Sequence, residues 1–115
     1  MEEIKELMEK VRQQEPKLTG FGMYSEEKYE NDPIPEGEFI LCMEWLKEQT
    51  ISKTINRELS SYGMKHCVEE WHRKTKASYK YISNGSVIAA IIALGIPYQK
   101  YSDEPNIFAA VKVKK

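Results

Sequence analysis

Apolar residues recur at helical spacing from the start of the chain. Ile4, Leu7, Met8 and Val11 fall at i, i+3, i+4 and i+7, which predicts an amphipathic helix over 3–14. Glu6 and Lys10 form an i,i+4 pair on its wet side, and Pro16 stops it. A second stripe, Phe39, Cys42, Met43 and Leu46, widened by Ile40 and Trp45, predicts a helix over about 37–49. Ile51, Ile55 and Leu59 are spaced by four, so a short third helix is expected, with Lys53 and Arg57 outward. Met64, Cys67, Val68 and Trp71 repeat the helical pattern and predict a fourth helix over about 61–75. Ser60 or Ser61 can cap it, because a serine oxygen accepts from the orphan N–H groups of a helix start. Gly63, in its first turn, permits close approach of another backbone.

The run Val87–Leu94 is different in kind. Val87, Ile88, Ile91, Ile92 and Leu94 surround a fifth helix, about 84–95, with Ala89, Ala90 and Ala93 as its thin face. A helix that is apolar all round is buried all round. Ser83 or Asn84 caps its start, and Gly95 and Pro97 are placed to end it. The alternating aromatics of 78–82 predict a short extended piece before it. After it, Pro97–Tyr101 and Ile107–Val113 read as the arms of a hairpin around a turn at 103–106, with Ile107, Ala109, Val111 and Val113 on one face. The expected fold is therefore mainly α: about five helices around one buried helix, with a C-terminal β-hairpin, winged-helix-like at most. The expected organisation is a single domain over 1–115 with a long acidic loop at about 16–36. That loop carries Glu26, Glu27, Glu30 and Asp32, with Tyr24 and Tyr29 to pin it or to make contacts.

Composition supports a folded domain. Apolar residues make up 41% and charged residues 30% of 115 positions, the balance of a globular protein and not of a disordered one. The two cysteines, Cys42 and Cys67, both sit in apolar stripes, which favours reduced thiols and a cytoplasmic location. The acidic start offers no signal-peptide pattern, and the longest apolar run falls well short of the ~20 residues that span a bilayer, so no membrane partner is expected. Net charge is −1, yet the charges are segregated. Residues 1–50 hold 6 Lys/Arg against 13 Asp/Glu, and residues 51–115 hold 11 against 5. A basic half of this kind points to an anionic partner; a diluted, solvated surface is the plain alternative.

Catalytic motifs do not emerge. His66, Glu69 and His72 stand three residues apart, which turns the two histidines about 120° from each other on a helix, whereas paired metal ligands want i,i+4. No metal and no cofactor is expected. Neither thiol lies in a nucleophile motif, there is no phosphate-binding glycine loop, and a non-enzymatic protein is the expectation. Nucleic acid fits the basic half better. Arg73, Lys74, Lys76 and Lys80 cluster around Tyr79 and Tyr81, and lysine and arginine neutralise phosphates while tyrosine faces stack on bases. The helix Val87–Leu94 stands where a winged-helix reader would, but offers no polar side chain to base edges. The expected contact residues are therefore Lys65, His66, Arg73, Lys74, Lys76 and Lys80, with Lys112 and Lys114 from the hairpin.

The run Ser61-Tyr-Gly-Met-Lys-His66-x-x-Glu69, followed by Tyr81-Ile-Ser-Asn-Gly85-x-x-Ile88-Ala-Ala90, resembles small uncharacterised proteins of bacterial phages and mobile elements. The resemblance spans Ser61–Ala90 and carries no site residues with it. It implies an accessory role, in DNA transactions or in inhibiting a host system. Two functions follow as expectations: nucleic-acid binding through the basic C-terminal half, or a protein partner held by the acidic N-terminal half. A homodimer paired through the hairpin edge or the helix stripes is a third arrangement.

Overall fold

The computed structural model describes residues 2–20, 22–23, 34–76, 78, 80–101 and 104–113. In chain order the elements are α1 (Glu2–Gln14), α2 (Glu36–Lys47), β1 (Thr50–Ser60), α3 (Ser61–Lys76), α4 (Asn84–Ala93), β2 (Tyr98–Lys100) and β3 (Ile107–Lys112). The three strands form one antiparallel sheet in the order β1-β3-β2. Four helices thus share the fold with a three-stranded sheet, among the described residues. The expectation of about five helices with a winged-helix outline is corrected on this point.

The correction lies in residues 50–60. Thr50, Ile51, Thr54 and Ile55 are β-branched, and such side chains favour strands. The spacing of four that mimics a helix has another origin. Pairing runs Ile51↔Val111, Asn56↔Ala109 and Ser60↔Phe108, with irregularities between each pair. Eleven residues of β1 are thereby spread along a much shorter stretch of β3. A spacing of four is two strand repeats as well as about one helical turn, so Ile55 and Leu59 share a face of β1 and both pack against the core. The hairpin forms where the alternation placed it: β2 pairs with β3, and Ile107, Ala109 and Val111 are buried. Because β1 takes its other edge, β3 becomes the central strand.

Helix α4 is the core. Every residue from Asn84 to Ile92 is buried, and α4 packs against α1, α2 and α3. Ser83 caps it, its Oγ accepting the Ser86 N–H at 3.3 Å. Glu38 on α2 reaches the same end: its carboxylate accepts the Ser83 N–H at 2.8 Å and the Ser86 hydroxyl at 3.0 Å. A carboxylate at a helix N-terminus meets the positive end of the macrodipole, so this contact also fixes α2 against α4. At the other end Gly95 takes φ +71°. Its N–H donates to the Ile92 carbonyl and that of Ile96 to the Ile91 carbonyl, which satisfies the last turn.

The long loop is described at its two ends, over 16–20 with 22–23 and over 34–36. Thr19, Gly20 and Met23 are buried, the Gly85 N–H donates to the Gly20 carbonyl at 3.0 Å, and the Met23 N–H donates to the Pro105 carbonyl at 2.8 Å. Tyr24, Glu26, Glu27, Tyr29, Glu30 and Asp32 lie outside the described residues.

The end of α1 is tied to β2. Glu15 accepts the Tyr98 hydroxyl at 2.5 Å and the Lys100 ammonium at 2.8 Å. Burial and the Glu15 carboxylate push the Tyr98 phenol up to about 12, from its ordinary value of 10.0. A folded-state value above the unfolded one adds stability that is complete below pH 10 and lost as the pH climbs towards 12. Tyr98→Phe is expected to flatten that alkaline limb, measured by urea denaturation across pH 8 to 12 (a range of roughly two units either side of the tyrosine value).

Candidate nucleic-acid interface

Helix α3 carries most of the residues in question. It buries the face formed by Ser61, Met64, Lys65, Val68 and Glu69. Ser60 Oγ accepts the Gly63 N–H at 3.3 Å at its start, and Ser61 Oγ accepts the Ile107 N–H at 3.0 Å, which ties α3 to β3. Gly63 does face a close neighbour, but it is the Leu59 side chain and not another backbone. The helix runs on through Arg73, Lys74 and Lys76, one residue beyond its expected end at 75.

Lys65 is not a surface cation. Its side chain is 6% exposed, and Nζ lies 3.1 Å from Glu69 Oε2, whose side chain is equally buried. The ammonium also sits over the Tyr81 ring, 4.7 Å from the centroid, and 5.3 Å from that of Tyr62. Both rings turn their outer faces to water, with Tyr62 and Tyr81 about half exposed. Glu69 further accepts the Ile82 N–H at 2.9 Å and meets His66 Nδ1 at 3.1 Å. Burial raises the Glu69 carboxyl, but the Ile82 N–H, Lys65 and His66 together outweigh it and hold it below the ordinary carboxylate value. The cluster locks α3 to the segment that enters α4.

The other expected contact residues differ in setting. His66 is exposed, and its ring stands edge-on to Tyr62 at 4.8 Å. Arg73 is exposed but pairs with Glu70, which lowers the Glu70 carboxyl and raises the guanidinium. Lys74, Lys76 and Lys80 are exposed around the end of α3, and Lys112 is exposed on β3. Lys114 and Tyr79 lie outside the described residues. A groove of about 530 Å³ runs between the end of α2 and α3, walled by Trp45, Cys67, Trp71 and Val113. Lys74 and His66 stand in it with Glu48 and Glu70, so its charge is mixed. The structure therefore gathers Lys74, Arg73 and His66 along α3, with Lys112 on the neighbouring strand, and withdraws Lys65.

Sequence reading missed Glu69 as the partner of Lys65. The signal was present: opposite charges at i,i+4 lie beside Met64 and Val68, on the stripe that must face the core. Asn84 and Asn106 also meet, amide to carbonyl oxygen, at 2.8 Å, and pin the hairpin turn to the start of α4. Ser83 belongs instead with Glu38 and Ser86. His72 is directed at the Ser78 carbonyl, 2.9 Å away, and does not converge with His66. No group of three metal-ligating side chains gathers among the described residues.

Burial pushes the Cys42 thiol far above its ordinary value, and Glu38 adds to the rise. Burial raises Cys67 as well. Neither thiol is an activated nucleophile at neutral pH. Among the described residues no helix is long and apolar enough to cross a membrane. No family model, no curated protein and no solved structure matches this chain.

Proposed function

We propose that this chain is a non-enzymatic accessory protein, of the kind carried by phages and mobile elements, that binds nucleic acid in the cytoplasm. The contact surface is the C-terminal end of α3 with the segment after it. The observation that carries the reading is the exposure of Arg73, Lys74, Lys76 and Lys80 together, with Lys112 on the adjoining sheet. Lysine and arginine displace counterions from phosphates, and this supplies affinity without base reading. Lys65 has no part in it, because Glu69 holds its charge inside the protein.

The test is fluorescence anisotropy with labelled DNA and RNA, as duplex and as single strand, over a salt series. Three or four engaged cations give a slope of log K against log salt of about −3 on duplex DNA. The triple variant Arg73→Glu, Lys74→Glu, Lys76→Glu is expected to abolish detectable binding, while Lys65→Arg leaves the slope unchanged. Absence of binding at low salt, or a triple variant that binds as the parent does, overturns the reading.

A further inference from the structure

The buried lysine of α3 demonstrates how this chain accommodates a cation: two aromatic rings and a carboxylate surround Lys65 Nζ. Two rings and a carboxylate come together a second time, at the end of the sheet where β1 and β2 finish and β3 begins. Tyr101, just beyond β2, and Phe108, on β3, stand edge-to-face with an angle of 85° and centroids 6.0 Å apart. With Glu104 they line a pocket of about 360 Å³, completed by Ser60 and Asn106. That volume lies in the range of small-ligand sites. None of the five lining residues is cationic. Arg57, which crosses the sheet, ends on Gln99 at 2.6 Å.

The chemistry of the walls selects among cations. Ring faces attract positive charge through their quadrupole, and Glu104 supplies a counter-charge. The side-chain acceptors are largely committed: Ser60 Oγ takes the Gly63 N–H, and Asn106 Oδ1 takes the Asn84 amide. A primary ammonium brings three N–H donors; the Glu104 carboxylate can take part of them, as Glu69 does from Lys65, and the ring walls replace none of the remaining hydrogen bonds to water. A methylated ammonium brings charge with no such donors. We propose that the pocket of Tyr101, Phe108 and Glu104 binds a methylated ammonium group, carried by a protein side chain or by a small quaternary amine. This site is distinct from the α3 cations and stands whether or not they bind nucleic acid.

Isothermal titration and amide chemical-shift mapping test it, with three probes: choline, a peptide bearing trimethyllysine, and the uncharged isostere of choline in which a tert-butyl group replaces trimethylammonium. Choline and the peptide are expected to shift the amides of Asn106 and Phe108, and the isostere to bind about tenfold more weakly or not at all. Tyr101→Leu and Glu104→Gln, both at exposed positions, are each expected to weaken choline binding by about 2- to 30-fold with the rest of the amide spectrum unchanged. A peptide that binds much more tightly than choline assigns the site to a protein partner; equal binding assigns it to the free amine. An isostere that matches choline, variants that bind as the parent does, or no shift at these amides with either cation overturns the proposal.

Discussion

Lys65→Met is expected to lower the unfolding free energy by about 3–5 kcal/mol at neutral pH, read from urea denaturation followed through Trp45 and Trp71. The loss does not measure the strength of the ion pair. Removing Lys65 leaves the buried Glu69 carboxylate to the Ile82 N–H and His66, and a buried charge that has lost its ion-pair partner is the costly state. The double variant Lys65→Met, Glu69→Gln is expected to recover most of the loss, because a neutral amide still accepts the Ile82 N–H. The pH response separates this account from simple loss of packing. In the parent, Glu69 titrates below its ordinary value, so its contribution is present above pH 4.5 and lost as the pH falls through the depressed value. In Lys65→Met, burial acts with less opposition and the carboxyl value rises, so acidification towards pH 5 (about two units below neutrality) narrows the gap to the parent. A gap that stays constant with pH, or a double variant as unstable as the single, refutes the buried-charge account.

Gly85→Ala is expected to cost about 3 kcal/mol, the upper range for overpacking, through a single methyl group. Gly85 opens α4 against the described start of the acidic loop. A Cβ there would lie 2.8 Å from the Gly20 Cα and closer still to the Thr19 carbonyl oxygen. Both obstacles are backbone, so neither can swing aside as a flexible side chain would. The Gly85 N–H also donates to the Gly20 carbonyl, and opening the gap breaks that bond. Thermal melting checks the size of the loss. Hydrogen exchange checks its place: protection should fall at Gly85 and around Thr19 before it falls in β3. Gly37→Ala is the control, since a Cβ added there meets nothing within 4 Å and alanine favours a helix. A Gly85→Ala variant as stable as that control would contradict the close approach.

The helices were legible because periodicity and capping agree in them. The stripe of α1, the all-apolar α4, Ser83 before it and Gly95 after it each have one physical reading, and the structure follows that reading. Residues 50–60 were not legible in the same way. Ile55 and Leu59 satisfy a helical spacing and the alternation of a strand equally, and only the long-range pairing with β3 decides between the two. Pairing of this kind has no local trace in sequence. The candidate interface divides similarly. Exposure of Lys74 and Lys76 follows from their place at the polar end of α3, and Lys80 is exposed in the connecting segment beyond it. Withdrawal of Lys65 depends on Glu69 one turn away and on the Ile82 N–H that arrives from a later segment, and composition counts Lys65 as one more cation.

The placement of β3 between β1 and β2 has a consequence for the order of assembly. β1 has no sheet partner until residues some fifty positions further on have been made, which at about 5–20 residues per second leaves it unpaired for roughly 3–10 s. During that interval a stretch rich in β-branched residues is open to other chains. Lys53, Arg57 and Glu58 punctuate it at exposed positions. Their charges repel or solvate such encounters, in the manner of gatekeepers beside an aggregation-prone strand. These side chains thus act on the nascent polypeptide, before there is a fold for them to belong to.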